Sequence, residues 1–390
     1  MIYDILDLGI QPIANGFLNE EDFINEPFYH LVATYNTETY HFSIKNSVEP
    51  ADMFNSNYAY FSSNSKPMIS HFKETSDILK LYNPTSILEI GSNDGCFIKN
   101  FETENSVCVE PSSNLSSITE NLGYKTYTKF FGRSIVKELL DNHGKFDLIY
   151  SANCICHIPD IDEVFESISK LITNNGLFVF EDPSLLKMIQ NNSYDQIYDE
   201  HPHIFSILFI SKITEKYGLE VKRVESLSVH GGSNRIYVGK KDGIGIDESV
   251  KTNLDIEIEN GLNDINSIRL FANRVEQSKK DLISILTNIK ESGKRILSYG
   301  ATSKSTTIFN YCGINSDLID IISDNSETKI GKFSPGMHIP IKNRNDININ
   351  EYEYIFLGAW NFKDFILNLE RDWISNGGKI ITHVPKVHII

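Results

Sequence analysis

Short runs of consecutive apolar residues, closed by glycine- or asparagine-containing turns, alternate along most of this chain with stretches in which apolar residues recur every three or four positions. The first pattern reads as buried strands and the second as one face of a helix. The runs S-I-L-E-I, S-V-C-V, F-D-L-I-Y-S-A-N and G-L-F-V-F-E-D-P, with a late pair around L-S-V-H-G-G-S-N-R-I-Y-V, predict one doubly wound α/β sheet over residues 76–245. A second alternation starts after Gly293: R-I-L-S-Y-G, a helix from Ser303, L-I-D-I-I-S-D, Y-E-Y-I-F-L-G-A-W, another helix and K-I-I-T-H-V-P. It predicts a Rossmann-like α/β domain over 293–390. Between the two, Leu262, Ile265, Ile268, Val275, Leu282, Ile285 and Ile289 step mostly by three and four, so 246–292 reads as a helical connector with one apolar face. Residues 1–75 keep neither period for long and read as a small, substrate-facing domain.

Length and charge narrow the class. A chain of 390 residues exceeds one comfortable core and fits about two or three domains. With 36 Lys and Arg against 52 Asp and Glu, the net charge of -16 argues against an extended nucleic-acid or anionic-membrane surface. A small anionic substrate still needs local cations. The opening M-I-Y-D-I-L-D has no basic stretch ahead of a long apolar core, and no run approaches eighteen apolar residues, so a cytoplasmic protein is expected. Five cysteines, at 96, 108, 154, 156 and 312, form neither a C-x-x-C metal pattern nor a dense disulfide framework. They are expected to be reduced and mostly in the core.

The turn after the first strand carries the most specific chemistry. There E-x-G-x-x-x-G runs from Glu89 through Gly91, Ser92, Asn93 and Asp94 to Gly95, and C-F-I-K-N-F after it reads as an amphipathic helix. The next strand ends in Glu110 and Pro111, with Glu110 nineteen residues past Gly91, where a βαβ unit places an acid on ribose hydroxyls. A dinucleotide site needs G-x-G-x-x-G around a pyrophosphate, which Asp94 would repel. Glu89 and Asp94 suit a ligand with a positive sulfonium and an amino group. The turn resembles motif I of the S-adenosylmethionine (SAM) dependent methyltransferases. The resemblance implies SAM as cofactor, held by these residues and by Asn153 at the end of a later strand.

A proton-handling cluster follows in Y-D-E-H-P-H, where Tyr198, Glu200 and His201 fall within four residues. Neutral imidazole, with an ordinary pKa near about 6.5, accepts a proton at neutral pH, and a neighbouring carboxylate can orient it. A Glu–His pair that merely satisfies itself in an aromatic segment is the competing reading. His157, in C-I-C-H-I-P after another strand of the cofactor fold, stands at the carboxyl edge where such sheets bind ligands. A hydrogen bond at a helix start is its structural alternative.

Across nearly its whole length the chain resembles the sugar C-methyltransferases that act on nucleotide-linked 4-keto-6-deoxyhexoses. The resemblance rests on ordered motifs: L-G-I-Q-P-I-A-N, Y-A-Y-F-S-S, E-I-G-S-N-D-G, C-I-C-H-I-P, I-Y-D-E-H, H-G-G-S-N-R, Y-G-A-T-S-K, P-G-M-H-I-P-I and G-A-W-N-F. It implies a central class I SAM methyltransferase domain between the two others. It also implies that His201 removes a proton beside the ketone, usually at C3, with Glu200, Tyr198 and His157 around that carbon and Tyr58 or Tyr60 closing over the sugar. The C-terminal domain would then hold the nucleotide through the turn at Ser303, Lys304 and Ser305, with Arg235 and Lys332 adding charge. His230, Gly232 and Ser233 read first as a tight turn and second as a substrate contact. Two departures stand out. The family opens with a zinc module ligated by cysteines, yet no cysteine precedes position 96, and His30 and His41 alone cannot build a closed N/S site, so no metal is expected. Pro202 and His203 stand where relatives often carry aliphatic and aromatic residues. An O-methyltransferase and, against the missing G-x-G-x-x-G, an NAD-dependent nucleotide-sugar oxidoreductase or epimerase are the alternatives.

Overall fold

A computed structural model of the chain describes residues 1–56, 58 and 60–390. The first three strands, β1 (Ile2–Pro12), β2 (Phe28–Asn36) and β3 (His41–Ile44), form an antiparallel sheet. Two register shifts in β1, between Asp4 and Leu6 and between Asp7 and Ile10, interrupt its in–out alternation. That is why the sequence pattern of this region reads as irregular.

The chain then builds β4 (Ile87–Ile90), β5 (Ser106–Val109), β6 (Lys125–Tyr127), β7 (Phe146–Ala152) and β8 (Ile172–Pro183). After a short strand β9 (His203–Ile204) it adds β10 (Leu219–Leu227) and β11 (Ser233–Lys240). The sheet order is β6-β5-β4-β7-β8-β11-β10, with β11 alone antiparallel to its neighbours. The order reverses between β4 and β7, so the loops after these strands part there and leave a crevice at their carboxyl ends. Every residue of β4 and β5 is buried, as continuous apolar runs demand.

One predicted helix is missing. C-F-I-K-N-F forms only a 3₁₀ turn at Ile98–Asn100. Asn100 explains it, because its side-chain amide bonds the carbonyls of Cys96 and Phe97 and so competes with helical pairing. The cofactor turn therefore has no long helix N-terminus behind it to favour an anion.

The last sheet comprises β12 (Ile296–Tyr299), β13 (Ile321–Asp324), β14 (Ile341–Asn343), β15 (Tyr354–Leu357), β16 (Lys379–Thr382) and β17 (His388–Ile389). Its order is β14-β13-β12-β15-β16-β17, and its switch point lies between β12 and β15. Helices Glu248–Glu259 and Ile265–Glu291 precede it. The longer one buries Ile268, Phe271, Val275, Leu282, Leu286 and Ile289 in a cluster shared with Leu6, Tyr35 and Phe42 of the first sheet, Ile322 of the last sheet and Ile308 of helix Ser303–Cys312. It works as a spine joining both rather than as a tether.

The first sheet is closed by the site loop itself. β9 pairs with β3, and His41 Nε2 meets His203 Nδ1 at 2.9 Å while His203 Nε2 donates to the Ile158 carbonyl. Burial holds both rings neutral, pushing His41 to about 3 and His203 to about 4. His30 is tied to Asp7 on the surface. Further along, Glu26 accepts from Gly336 N and pairs with His338, whose ring stacks on Phe23. With His30 and His41 both engaged, dialysis against a chelator is expected to leave the melting temperature unchanged and not to abolish methyl transfer. Unfolding reversed by added zinc would contradict this. No helix among the described residues is long and apolar enough to cross a membrane.

Candidate active site

At the crevice, Gly91 turns with φ +69°, and a Cβ there would lie 2.5 Å from Cys154 Sγ. Only glycine lets the loops after β4 and β7 cross so closely. Asn93 and Asn153 also take left-handed conformations, with φ of 47° and 49°. The carboxylate of Glu110 accepts from Asn93 N and Ser112 N, each at 2.9 Å, and each oxygen can accept once more. Glu89 accepts from Ile98 N at 3.1 Å, and burial raises both acids, Glu89 well above its ordinary value. Ser92 Oγ, Asp94 Oδ1 and Asn114 Oδ1 are buried without a partner among the described residues. This surplus of acceptors fits an ammonium, a sulfonium and ribose hydroxyls and opposes a pyrophosphate. Glu110→Ala should weaken SAM binding by about 1.5 to 3 kcal/mol, the worth of a charged hydrogen bond. Calorimetry with SAM and with NAD checks this, and tight NAD binding without SAM binding would overturn it.

The segment before helix Lys66–Lys80 lies across this loop. Asn93 Oδ1 accepts from Ser62 N and its amide donates to Tyr60 O, Asp94 accepts from Ser63 N, and Asn114 donates to Tyr58 O. Tyr58 is close enough to Glu200, Glu110 and Cys154 for their charges, after burial, to raise its hydroxyl. It lies within reach of the charges of both Glu110 and Glu200. Tyr60 is the exposed one of the pair, and Ala59 between them lies outside the described residues.

His201 is held by its own loop. Its Nδ1 meets the Gln196 carbonyl at 2.8 Å, and a carbonyl only accepts, so Nδ1 carries the proton. Nε2 then presents a lone pair, which accepts from the Tyr198 hydroxyl at 2.9 Å. Burial first, and His157 beside it, push His201 well below its ordinary value, so the free base persists at neutral pH. His157 donates through Nδ1 to the Glu200 carbonyl, and the two rings lie 5.1 Å apart. Glu200 Oε1 accepts from Asn15 Nδ2 at 2.6 Å, and neighbouring Asp199 accepts from Ala14 N at 3.0 Å. Burial raises both carboxyls, and Lys329 and Lys304 ease the charge on Glu200.

Two family models match the chain, a methyltransferase domain over residues 61–224 and a C-methyltransferase C-terminal domain over residues 228–385. A curated relative, C-methyltransferase NovU of Streptomyces niveus, is 29% identical over 395 aligned residues, covering 99% of this chain and 94% of NovU. This chain belongs to the C-methyltransferase family. It is a methyltransferase with S-adenosylmethionine as cofactor. Two solved structures align with part of it. A magnesium protoporphyrin IX methyltransferase (ChlM) from Synechocystis PCC 6803 with bound SAM covers 45% of this chain and 81% of its own, with 10% identity and a TM-score of 0.34. A putative sarcosine dimethylglycine methyltransferase from Galdieria sulphuraria covers 45% and 88%, with 14% identity and a TM-score of 0.37.

The C-terminal domain of this C-methyltransferase sends two cations towards Glu200. Lys304 is the second residue of helix Ser303–Cys312, and burial lowers it, opposed by Asp195 and Glu200. Lys329 donates to the Ala301 carbonyl at 2.8 Å. Lys332, the cation expected there, makes no side-chain hydrogen bond or ion pair among the described residues. Ser303 is half-buried beside Lys304, but Ser305 is consumed in a capping box with Thr302. His230 keeps a buried, unpartnered Nε2 and is pushed to about 4 by burial and Lys304. Gly232 and Ser233 are parts of the turn: a Cβ on Gly232 would lie 2.8 Å from Lys187, and Ser233 Oγ bonds the Val229 carbonyl. Arg235 corrects the sequence reading. It is 4% exposed, with Nε on Glu181, Nη1 on Glu225 and Nη2 on Thr75, so its guanidinium serves the sheet rather than a phosphate.

Asn15, Asp199 and Lys329 escaped the sequence reading. Asn15 and Asp199 lay inside motifs already noted, Q-P-I-A-N and I-Y-D-E-H, and pairing those two motifs in space was the missing signal.

Proposed function

We propose that this methyltransferase deprotonates the carbon beside the ketone of a nucleotide-linked 4-keto-6-deoxysugar, C3 being the expected position, and joins the methyl group to that carbon. The observation that carries the reading is the fixed tautomer of His201, whose Nε2 lone pair faces Tyr198 in a buried cluster with His157 and Glu200. A sulfonium methyl needs a carbon nucleophile for C-methylation, and a hydrogen beside a ketone leaves as a proton because the charge spreads into an enolate. SAM supplies the methyl on a good leaving group.

Tyr198 yields its hydrogen bond, and His201 Nε2 takes the proton while Nδ1 keeps its bond to Gln196. Asn15 steadies the Glu200 carboxyl group, and the Glu200 carbonyl holds His157 beside the imidazolium. Tyr58, within reach of the charges of both Glu200 and Glu110, helps keep water out. Lys304 and Lys329, beside the switch point of the last sheet, support binding of the nucleotide's phosphates, where Asp324 already orders the turn through Ala301 N and Ser326 N. The test is turnover of such a keto-sugar nucleotide with ¹³C-methyl SAM, followed by NMR of the product. A methyl on a carbon without attached hydrogen is expected. A methoxy signal would overturn the reading.

A further inference from the structure

The loop after β7 and the loop carrying His201 bring one thiol and two imidazoles together. Donor atoms of Cys156, His157 and His201 all lie within 4.8 Å of one another. Both imidazoles donate Nδ1–H to backbone carbonyls, of Glu200 and Gln196, so each holds its lone pair on Nε2. That is the arrangement by which outer hydrogen bonds fix histidine for a metal. A second observation points the same way. Asp182, 2% exposed, stands against the Cys156 thiol, a buried carboxyl group placed to take the thiol proton.

We propose that Cys156, His157 and His201 form a reversible inhibitory site for a thiophilic divalent cation, zinc foremost. One sulfur, two imidazole nitrogens and an open fourth position are a zinc donor set, unsuited to magnesium or calcium. Metal–ligand bonds of about 2.0 to 2.3 Å need these donors to close in by only about 1 Å. On binding, waters leave the hydrated ion, the Tyr198 hydroxyl leaves His201 Nε2, two nitrogen–metal bonds and one sulfur–metal bond form in their place, and the thiol proton passes to the Asp182 carboxylate. Nothing is oxidised. The bound ion occupies the lone pair that deprotonation uses, so transfer stops, whereas a chelator restores it. Binding itself does not depend on His201 being the base.

The test uses the full-length, chelator-treated protein. Zinc is titrated by calorimetry and cobalt by absorption, both without turnover, and zinc is then added to a methyl-transfer assay. One ion per chain, a thiolate-to-cobalt charge-transfer band and inhibition reversed by chelator are expected. Cys156→Ser should keep basal transfer and S-adenosylhomocysteine affinity while zinc inhibition weakens by about tenfold or more. Cys156→Ala gives a second variant should serine disturb the fold. A wild-type cobalt spectrum without the thiolate band, or inhibition unmoved in either folded variant, would overturn the proposal, whatever reaction the enzyme performs.

Discussion

Replacing His201 with asparagine is expected to lower methyl transfer by about 100- to 10,000-fold, the usual worth of a general base, while cofactor affinity stays nearly unchanged. The reason is geometric. The ring hangs from the loop after β8 by its bond to Gln196, and none of its contacts reaches Glu110 or the Gly91 turn. Asparagine is smaller and retains a donor for Gln196, so the loop keeps its anchor while the basic lone pair is gone. Glu200→Gln should reduce turnover by less, because Asn15 can still bond an amide oxygen. Steady-state rates with calorimetry on S-adenosylhomocysteine separate the two effects. A His201 variant transferring methyl at the wild-type rate would remove this residue from the mechanism, and His157 would take its place as the candidate.

Arg235→Met should destabilise the protein by about 3 kcal/mol, the lower part of the range for breaking a buried ion pair. The loss arises because Glu181, 1% exposed, keeps its charge when the guanidinium goes. His71 Nε2, at 2.5 Å from the other oxygen of Glu181, limits the damage by keeping its hydrogen bond to that carboxylate. Adding Glu181→Gln to the variant should recover part of the loss, because the uncompensated charge disappears with it. Urea titration of the single and double variants gives the coupling. Unchanged stability in Arg235→Met, with a raised KM for the sugar nucleotide, would return this arginine to the substrate.

What the sequence made legible follows the range of the interactions. The central parallel strands of both α/β sheets, such as β4, β5 and β12, are buried on both faces and announce themselves as apolar runs, and the Gly91 turn and Glu110 follow from spacing within one βαβ unit. C-F-I-K-N-F misled because its apolar spacing suits a helix, whereas Asn100 takes the carbonyls a helix needs. Pairings between distant segments left no local trace. Asn15 meets Glu200 across 185 positions, β9 completes a sheet begun at Ile2, and Asp195 accepts from the Trp360 indole to fasten the site loop to the last domain. Arg235 and Lys329 show the same limit for charge: a cation in a sequence does not reveal whether it will face a carboxylate in the sheet or the crevice.

The measurement that bears most directly on the proposed chemistry is hydrogen exchange before any methyl moves. Enzyme, a nucleotide-linked 4-keto-6-deoxysugar and S-adenosylhomocysteine are combined in deuterium oxide, and the sugar is followed by NMR. Wild-type protein should wash deuterium into the carbon beside the ketone, and His201→Asn should not. Exchange at equal rates in the two proteins would contradict the assignment of His201 as the base.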